Sequence, residues 1–176
     1  MPRIPYPAEG LSLPEVLENG MRTINVQRML MHLTPAIRDK MTPFSMSLLQ
    51  EGILDPILRE LALVRVGLLS KAAYEVHHHD ALAWTVGVPQ AKLDALRMDE
   101  IGDPFTPQEQ AVLRFTDDVV KNVRPGDATL AQLQTYLSSA EIIELVLVTG
   151  MYMTVSRILE TFGVELDGFG LELPGR

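Results

Sequence analysis

The residue types and spacings best suited to chemistry lie together in residues 60–80, which read ELALVRVGLLSKAAYEVHHHD. Glu75 and His79 are four positions apart, so they share one face if this segment is helical. A carboxylate beside an imidazole raises the imidazole pKa and fixes its tautomer, which is a usual way to build a general acid–base pair. Glu60 stands in an apolar stretch, where a buried carboxylate must find a partner or line a cavity. The alternative for Glu75 and His79 is an ordinary ion pair on a solvated helix face.

Three consecutive histidines, residues 77–79, also raise the question of a metal site. Adjacent residues on a helix point ~100° apart, so the three rings cannot converge on one ion. One of them could still join Glu60 and Glu75 at a metal, but the HxxxH and HExxH spacings are missing. We therefore predict that the protein has no metal site.

The elements that must position these side chains are predicted to be helical. Helical periodicity is strong along the chain and strand signals are weak, which predicts an all-α fold of about eight helices. Asp55 and Pro56 are typical first residues of a helix, and the run to Leu69 is apolar almost all round, as in a central buried helix. A second central helix is predicted from Ala140 to Phe162.

The chain is expected to form one domain over residues 1–176, with its core motif region at 54–88. Alternating prolines favour an extended arm over residues 1–11, because proline restricts φ and the residue before it avoids the helical region. Residues 168–176, with three glycines, are expected to form a flexible tail.

Composition excludes several classes of function. The 176 residues include 15 basic and 23 acidic side chains, a formal charge of −8, so nothing suggests a nucleic-acid or anionic-membrane partner. There is no cysteine, which excludes disulfides, thiolate nucleophiles and Cys-ligated zinc. The longest apolar runs fall short of the ~20 residues that a membrane span needs, and the start of the chain lacks the apolar core of a secretory signal. We expect a cytoplasmic globular protein.

Two stretches, LDPILRELALVRV at residues 54–66 and AYEVHHH at residues 73–79, resemble the carboxymuconolactone decarboxylase and AhpD-like superfamily. The spacing from Glu60 to His79 is the most specific element of this resemblance. It implies an all-helical fold that assembles into a homo-oligomer: a dimer, a trimer or a hexameric ring. The alkylhydroperoxidase branch has a Cys-x-x-Cys pair between its Glu and His, but here those positions hold Ala72 and Glu75. Without a thiol there is no dithiol peroxidase cycle.

The acid–base half of the family's site is retained, so Glu60, Glu75 and His79 are predicted to be catalytic. We expect Glu60 to lie across a helix–helix contact from His79, with Glu75 in the same pocket. The decarboxylase branch resembles this arrangement more closely, since it works without cysteine, metal or organic cofactor. The resemblance thus implies a cofactor-independent, carboxy-lyase-like enzyme acting on a small organic acid or lactone. Isomerisation or hydrolysis would use the same residues, and a non-catalytic oligomer or ligand-binding protein that has lost the redox cysteines is the alternative.

Further residues are candidates for binding such a substrate. Arginine suits a substrate carboxylate, while tyrosine or histidine would polarise a lactone oxygen. The candidates are His32, Arg65, Tyr74, Tyr152 and Arg157. For Arg157, a salt bridge to Glu160 is the simpler explanation. The methionine-rich region 29–46 and the proline-rich residues 2–7 are candidate interfaces between copies of the chain.

Overall fold

The computed structural model describes residues 1–18 and 20–173, and in this part of the chain the regular elements are nine α-helices. They are α1 (Ala8–Leu11), α2 (Asn25–Leu30), α3 (Pro35–Gln50), α4 (Pro56–Leu69), α5 (Ala73–Thr85), α6 (Gln90–Arg97), α7 (Pro107–Asn122), α8 (Asp127–Leu133) and α9 (Ser139–Phe162). The predicted all-α fold is confirmed, and the helix beyond the expected eight is the four-residue α1.

The central helix α4 begins and ends as the sequence predicts. The Asp55 side chain accepts hydrogen bonds from the backbone N–H groups of Ile57 and Leu58, at 2.9 and 3.1 Å, and so caps the helix. Every residue from Leu58 to Gly67 is buried, because α4 packs against α5, α6, α7 and α9. The helix therefore lies in the middle of the molecule, and its polar side chains are surrounded by protein rather than by solvent.

Gly67 allows α4 and α5 to approach closely. A Cβ atom at this position would lie 3.0 Å from Cγ2 and 3.1 Å from the backbone nitrogen of Val76, and 3.2 Å from Cβ of Glu75. Such distances are tighter than ordinary van der Waals contact, so a larger residue would push the two helices apart. This close packing holds the Glu60 helix against the helix that carries Glu75 and His79.

The start of the chain differs from the expected extended arm, because residues 8–11 form α1. This turn docks on α2: Arg28 Nη1 donates a hydrogen bond to the Gly10 carbonyl at 2.9 Å, and Gly10 is buried against the Arg28 backbone. Tertiary contact therefore stabilises a helical turn that local sequence preference does not predict.

The end of the chain also differs from the expected flexible tail. Leu171 and Leu173 are buried and Phe169 packs against the same apolar cluster, so alternate residues of this extended segment cover the core. Asp167 accepts hydrogen bonds from the Asn25 backbone N–H at 3.1 and 3.2 Å, which joins the segment to the first turn of α2. The predicted tail is thus part of the packed fold up to residue 173, and residues 174–176, like Asn19, lie outside the described residues.

The last helix, α9, confirms the predicted second central helix: it begins one residue before Ala140 and ends at Phe162. With 24 residues it is the one helix of the described chain whose length and composition would suit a membrane span. It packs against α3, α4, α5 and α7, and 44% of its most apolar window is buried inside the molecule. Through these contacts α9 contributes one face to the core.

Candidate active site

Glu60 of α4 and His79 of α5 meet in the centre of the molecule. Glu60 Oε2 lies 2.8 Å from His79 Nδ1, and the two side chains are 0% and 2% exposed. The nitrogen donates this hydrogen bond, because an ionised carboxylate only accepts. The contact therefore fixes both the orientation of the imidazole ring and a proton on Nδ1, and it is the helix–helix contact that the sequence predicts.

Glu60 has a second buried partner on its own helix. Arg59 Nε donates to Glu60 Oε1 at 2.9 Å, and the Arg59 side chain is only 3% exposed. The carboxylate is thus held by a guanidinium on one oxygen and an imidazole on the other. A buried carboxylate with two such partners is well suited to stay ionised and to hold the histidine rigidly.

Glu75 lies on the other side of His79, so Arg59, Glu60, His79 and Glu75 form a row of alternating positive and negative charges. Its Oε2 lies 3.4 Å from His79 Nε2, and the side chain is 5% exposed, which rules out an ion pair on a solvated helix face. Burial alone would lower the pKa of His79, but the hydrogen bonds and negative charges of Glu60 and Glu75 outweigh it and raise that pKa to about 9. His79 is therefore an imidazolium at neutral pH.

Tyr152 of α9 covers one side of the histidine. The two rings are 4.6 Å apart between centroids and meet edge to face at 89°. The Tyr152 hydroxyl is hydrogen-bonded to Ser45 of α3. Burial, together with the negative charges of Glu75 and Glu60, raises the pKa of Tyr152, so this hydroxyl is a neutral hydrogen-bonding group.

Glu75, His79 and Tyr152 line a cavity of about 90 Å³ between α2, α3, α5, α9 and the C-terminal segment. Most of its wall is apolar, and much of that comes from methionine, leucine, isoleucine and valine. The lining residues are Met21, Ile24, Val26, Gln27, Leu30, Met41, Thr42, Ser45, Met46, Leu49, Tyr74, Glu75, His78, His79, Tyr152, Val155 and Leu171. An apolar cavity with a few convergent polar groups, one of them titrating with a perturbed pKa, is the usual form of a binding or catalytic site.

Tyr74 also lines the cavity, but its hydroxyl is already engaged. It donates to Asp167 Oδ2 and accepts from the Val26 backbone N–H at 3.1 Å. Burial and the Asp167 carboxylate raise the pKa of Tyr74. Tyr74 therefore braces the cavity wall, and its ring rather than its hydroxyl is available to a ligand.

The other three predicted binding residues do not line this cavity. Arg65 points to the opposite side of α4, where its Nε and Nη2 donate to Asp117 at 2.6 and 2.8 Å and Nη2 also meets Asp99 at 2.5 Å. His32 is exposed, with Nε2 2.9 Å from the Pro5 carbonyl. Arg157 is exposed on α9 and donates to the Met153 carbonyl at 2.7 Å rather than pairing as expected with Glu160.

Two residues of the cavity region were not among the predicted site residues. His78 lines the cavity, and its Nε2 lies 3.1 Å from Asp167 Oδ2, while its Nδ1 is buried without a partner among the described residues. Hydrogen bonds from His78 and Tyr74 outweigh burial and lower the pKa of Asp167. The spacing of four between Tyr74 and His78 was an available signal for His78, but nothing local to Asp167 indicates its role.

The described residues contain no group of three or more His, Asp or Glu side chains placed to hold a metal ion. The three consecutive histidines point in different directions, and each has a different partner. His77 Nε2 donates to the Phe169 carbonyl at 2.9 Å, whereas His78 and His79 face Asp167 and Glu60.

The chain is similar in sequence to a known protein family. Residues 35–118 match the model of the carboxymuconolactone decarboxylase family, a span that includes Glu60, Glu75 and His79. No curated protein matches the chain in a sequence comparison.

Several solved structures share the fold. One is an alkylhydroperoxidase AhpD core, an uncharacterised peroxidase-related protein from Ralstonia eutropha JMP134, with a TM-score of 0.79, 20% identity, and coverage of 95% of this chain and 93% of that one. An uncharacterised peroxidase-related protein from Silicibacter sp. TM1040 has a TM-score of 0.74 at 17% identity, with 89% and 80% of the two chains covered. The debrominase Bmp8 in complex with 2,3,4-tribromopyrrole has a TM-score of 0.71 at 14% identity, with 85% and 80% covered.

Proposed function

We propose that this chain, whose residues 35–118 match the carboxymuconolactone decarboxylase family and whose fold is AhpD-like, is a cofactor-independent acid–base enzyme that moves a proton on a small organic acid or lactone. The observation that carries the proposal is the buried row Arg59–Glu60–His79–Glu75, whose last two members line an apolar cavity. A structural ion pair needs no such cavity, and a perturbed histidine inside one is typical of catalysis.

A peroxidase function does not fit this chain, although relatives by fold carry peroxidase names. Peroxide reduction of the dithiol kind requires cysteine, and the sequence has none. The debrominase among the similar structures supports a wider range of chemistry for this fold, though at 14% identity the likeness extends to the fold alone.

The proposed proton transfer needs only Glu75 and His79. Glu75 accepts a proton from a carbon beside the lactone carbonyl, and the electron pair of that C–H bond moves into the conjugated system. His79 donates its Nε2 proton to the other end of that system, while Glu60 keeps Nδ1 protonated and the ring in place. The proton held by Glu75 then crosses the 3.4 Å to Nε2, so both groups return to their starting states.

This cycle is an isomerisation, and it closes without a cofactor. Decarboxylation would use the same proton donor for the carbanion left by CO2, but it also requires a group that holds the substrate carboxylate. Neither Arg65 nor Arg157 lines the cavity to do so. The contact between Glu75 and His79 therefore favours proton transfer within one substrate over loss of CO2.

Deuterium exchange tests the proposal without requiring the natural substrate. Unsaturated lactones and β-keto acids would be incubated with the protein in D2O, and deuterium at the carbon beside the carbonyl would be followed by NMR. We expect His79→Ala and Glu75→Gln each to lower the exchange rate by about 10²-fold or more, the usual contribution of a general acid or base. His32→Gln, at an exposed histidine outside the cavity, is the matched control and should exchange at the parent rate.

Full activity in His79→Ala would make this assignment wrong and leave Glu75 or Tyr152 as the proton donor. Binding of panel members without any exchange would instead support the non-catalytic alternative, a ligand-binding protein that has kept the fold. Circular dichroism of each variant would establish that the helices are intact.

A further inference from the structure

The charges around the cavity differ from those that an anionic substrate requires. Among the described residues that line it there is no lysine or arginine. Its polar lining consists of Gln27, Thr42, Ser45, Tyr74, Glu75, His78, His79 and Tyr152. The one carboxylate in this set, Glu75, would repel a ligand carboxylate, and a binding site for carboxylates normally supplies a guanidinium or ammonium group.

The two cations of the buried row beside the cavity already have anionic partners. Arg59 is paired with Glu60, and the imidazolium of His79 lies between Glu60 and Glu75. The two cations and the two carboxylates of this row balance each other. A carboxylate entering the cavity would therefore add an uncompensated negative charge to a buried apolar site, which is strongly unfavourable.

The arginine in the groove beside the cavity is paired as well. A groove of about 370 Å³ shares Gln27, Leu30 and Thr42 with the cavity, and the arginine that lines it, Arg38, is bound to Asp39 at 3.1 Å. With its charge already paired, Arg38 provides little attraction for an anion.

His78, which also lines the cavity, is paired with a carboxylate as well. Its Nε2 faces the Asp167 carboxylate at 3.1 Å, which requires a proton on that nitrogen. The ring is therefore already paired with an anion, and its Nδ1 is buried without a partner among the described residues.

The size and lining of the cavity limit the ligand further. At about 90 Å³ it is smaller than the ~150 Å³ apolar cavity that admits benzene. Met21, Met41 and Met46 surround it together with the rings of Tyr74 and Tyr152, and thioether and aromatic groups both pack well against a flat unsaturated ring. The part of a ligand that reaches His79 can thus be no larger than one five- or six-membered ring.

From these observations we infer that the ligand of the cavity is an uncharged, flat, unsaturated ring with a carbonyl or hydroxyl group, such as a neutral lactone, and not a carboxylate. The inference rests on the proposed function only in taking this cavity as the substrate site. It narrows the substrate class from organic acids and lactones to uncharged lactones and related carbonyl compounds.

A matched set of probes tests the charge directly. Muconolactone carries a carboxylate on a butenolide ring, its methyl ester has the same ring without the charge, and 2(5H)-furanone is the ring alone. Binding would be measured by calorimetry and by the NMR signals of the His79 ring at neutral pH. We expect the ester to bind at least about tenfold more tightly than the carboxylate, and furanone to bind at millimolar concentration.

Two variants link the preference to the charges in the cavity. Glu75→Gln keeps the shape of the cavity but removes its carboxylate, so it should reduce the preference for the ester by about tenfold. Glu160→Gln, on the exposed side of α9, removes the same charge outside the cavity and should leave the preference unchanged.

Equal or tighter binding of the carboxylate would overturn the inference, and so would failure of both uncharged probes to bind at millimolar concentration. These outcomes are distinct from failure of the proposed function. Uncharged ligands that bind without deuterium exchange would support the charge inference and contradict catalysis, whereas exchange confined to the carboxylate would do the reverse.

Discussion

The ionisation of His79 should make the stability of the protein depend on pH in a defined window. The two carboxylates raise the pKa of this buried histidine from 6.5 to about 9. One pKa unit corresponds to about 1.4 kcal/mol, so the protonated ring contributes ~3 kcal/mol to the free energy of unfolding. Because the folded-state pKa is the higher one, this contribution is complete below about pH 6.5 and is lost as the pH rises through 9.

Denaturant unfolding at a series of pH values between 6 and 10 would measure this dependence. In His79→Gln the dependence over that window should be absent. In Glu60→Gln it should be weakened, because only Glu75 then opposes the effect of burial, which lowers the pKa of His79. His32→Gln removes an exposed histidine and should unfold in parallel with the parent protein. Tyr74 and Tyr152 have raised pKa values, so their ionisation would affect the free energy of unfolding only above about pH 10.

The reasoning would be refuted by a parent protein whose stability rises between pH 6.5 and 9, or changes in parallel with that of His79→Gln. A direct NMR titration of the His79 ring nitrogens would provide the second measurement. A midpoint at or below 6.5 would mean that burial outweighs the two carboxylates.

Three further predictions concern the rest of the molecule. Ile143 and Leu147 are 61% and 43% exposed on α9, so we expect a homo-oligomer that uses this face; light scattering should give a multiple of 19.6 kDa, and Leu147→Asp should lower it. Asp117→Ala leaves the buried Arg65 without its bidentate partner and should cost about 3 kcal/mol of unfolding free energy by denaturant titration, without changing ligand affinity. Finally, the purified protein should contain no stoichiometric zinc or iron by elemental analysis and should not reduce hydroperoxides with dithiols.

The contact at the centre of the site was predicted from the residue pattern together with the family resemblance. Spacing on one helix face placed Glu75 with His79, and the high cost of an unpaired buried carboxylate required a partner for Glu60. The choice of His79 as that partner rested on the resemblance. The packing distance that joins the two helices depends on Gly67, whose part becomes clear only once α5 is in place.

The position of Arg65 could not be predicted from the same reasoning. A charged residue on a buried helix must have a partner, but the rule does not distinguish a ligand from another side chain. Its partner Asp117 is 52 residues away on α7, and helix packing alone decides which face of α4 meets α7. The helical period places Arg65 and Glu60 on different sides of α4, which was the available sign that they serve different purposes.

The C-terminal segment was missed for a related reason. Glycine-rich composition predicts flexibility, yet the apolar residues at every second position from 169 to 173 cover the core, and Asp167 joins three groups far away in sequence. Such contacts over long separations leave no local signal. Composition therefore predicts the flexibility of an isolated segment, whereas contacts with the rest of the fold determine its conformation in the protein.

The cavity wall combines contacts of very different range along the chain, and this affects how the molecule opens. Part of the wall comes from the two ends of the chain: Leu171 lines the cavity, and a hydrogen bond joins Asp167 to Asn25, 142 residues earlier. In contrast, α4 and α5 are neighbours in sequence. Chain ends open locally at a much smaller free energy than a central helix pair. Amide hydrogens at the start of α2 should therefore exchange with solvent while those of α4 remain protected. Exchange of ligand between the cavity and solvent can follow the same opening, leaving the paired charges of the central helices undisturbed throughout the lifetime of the folded state.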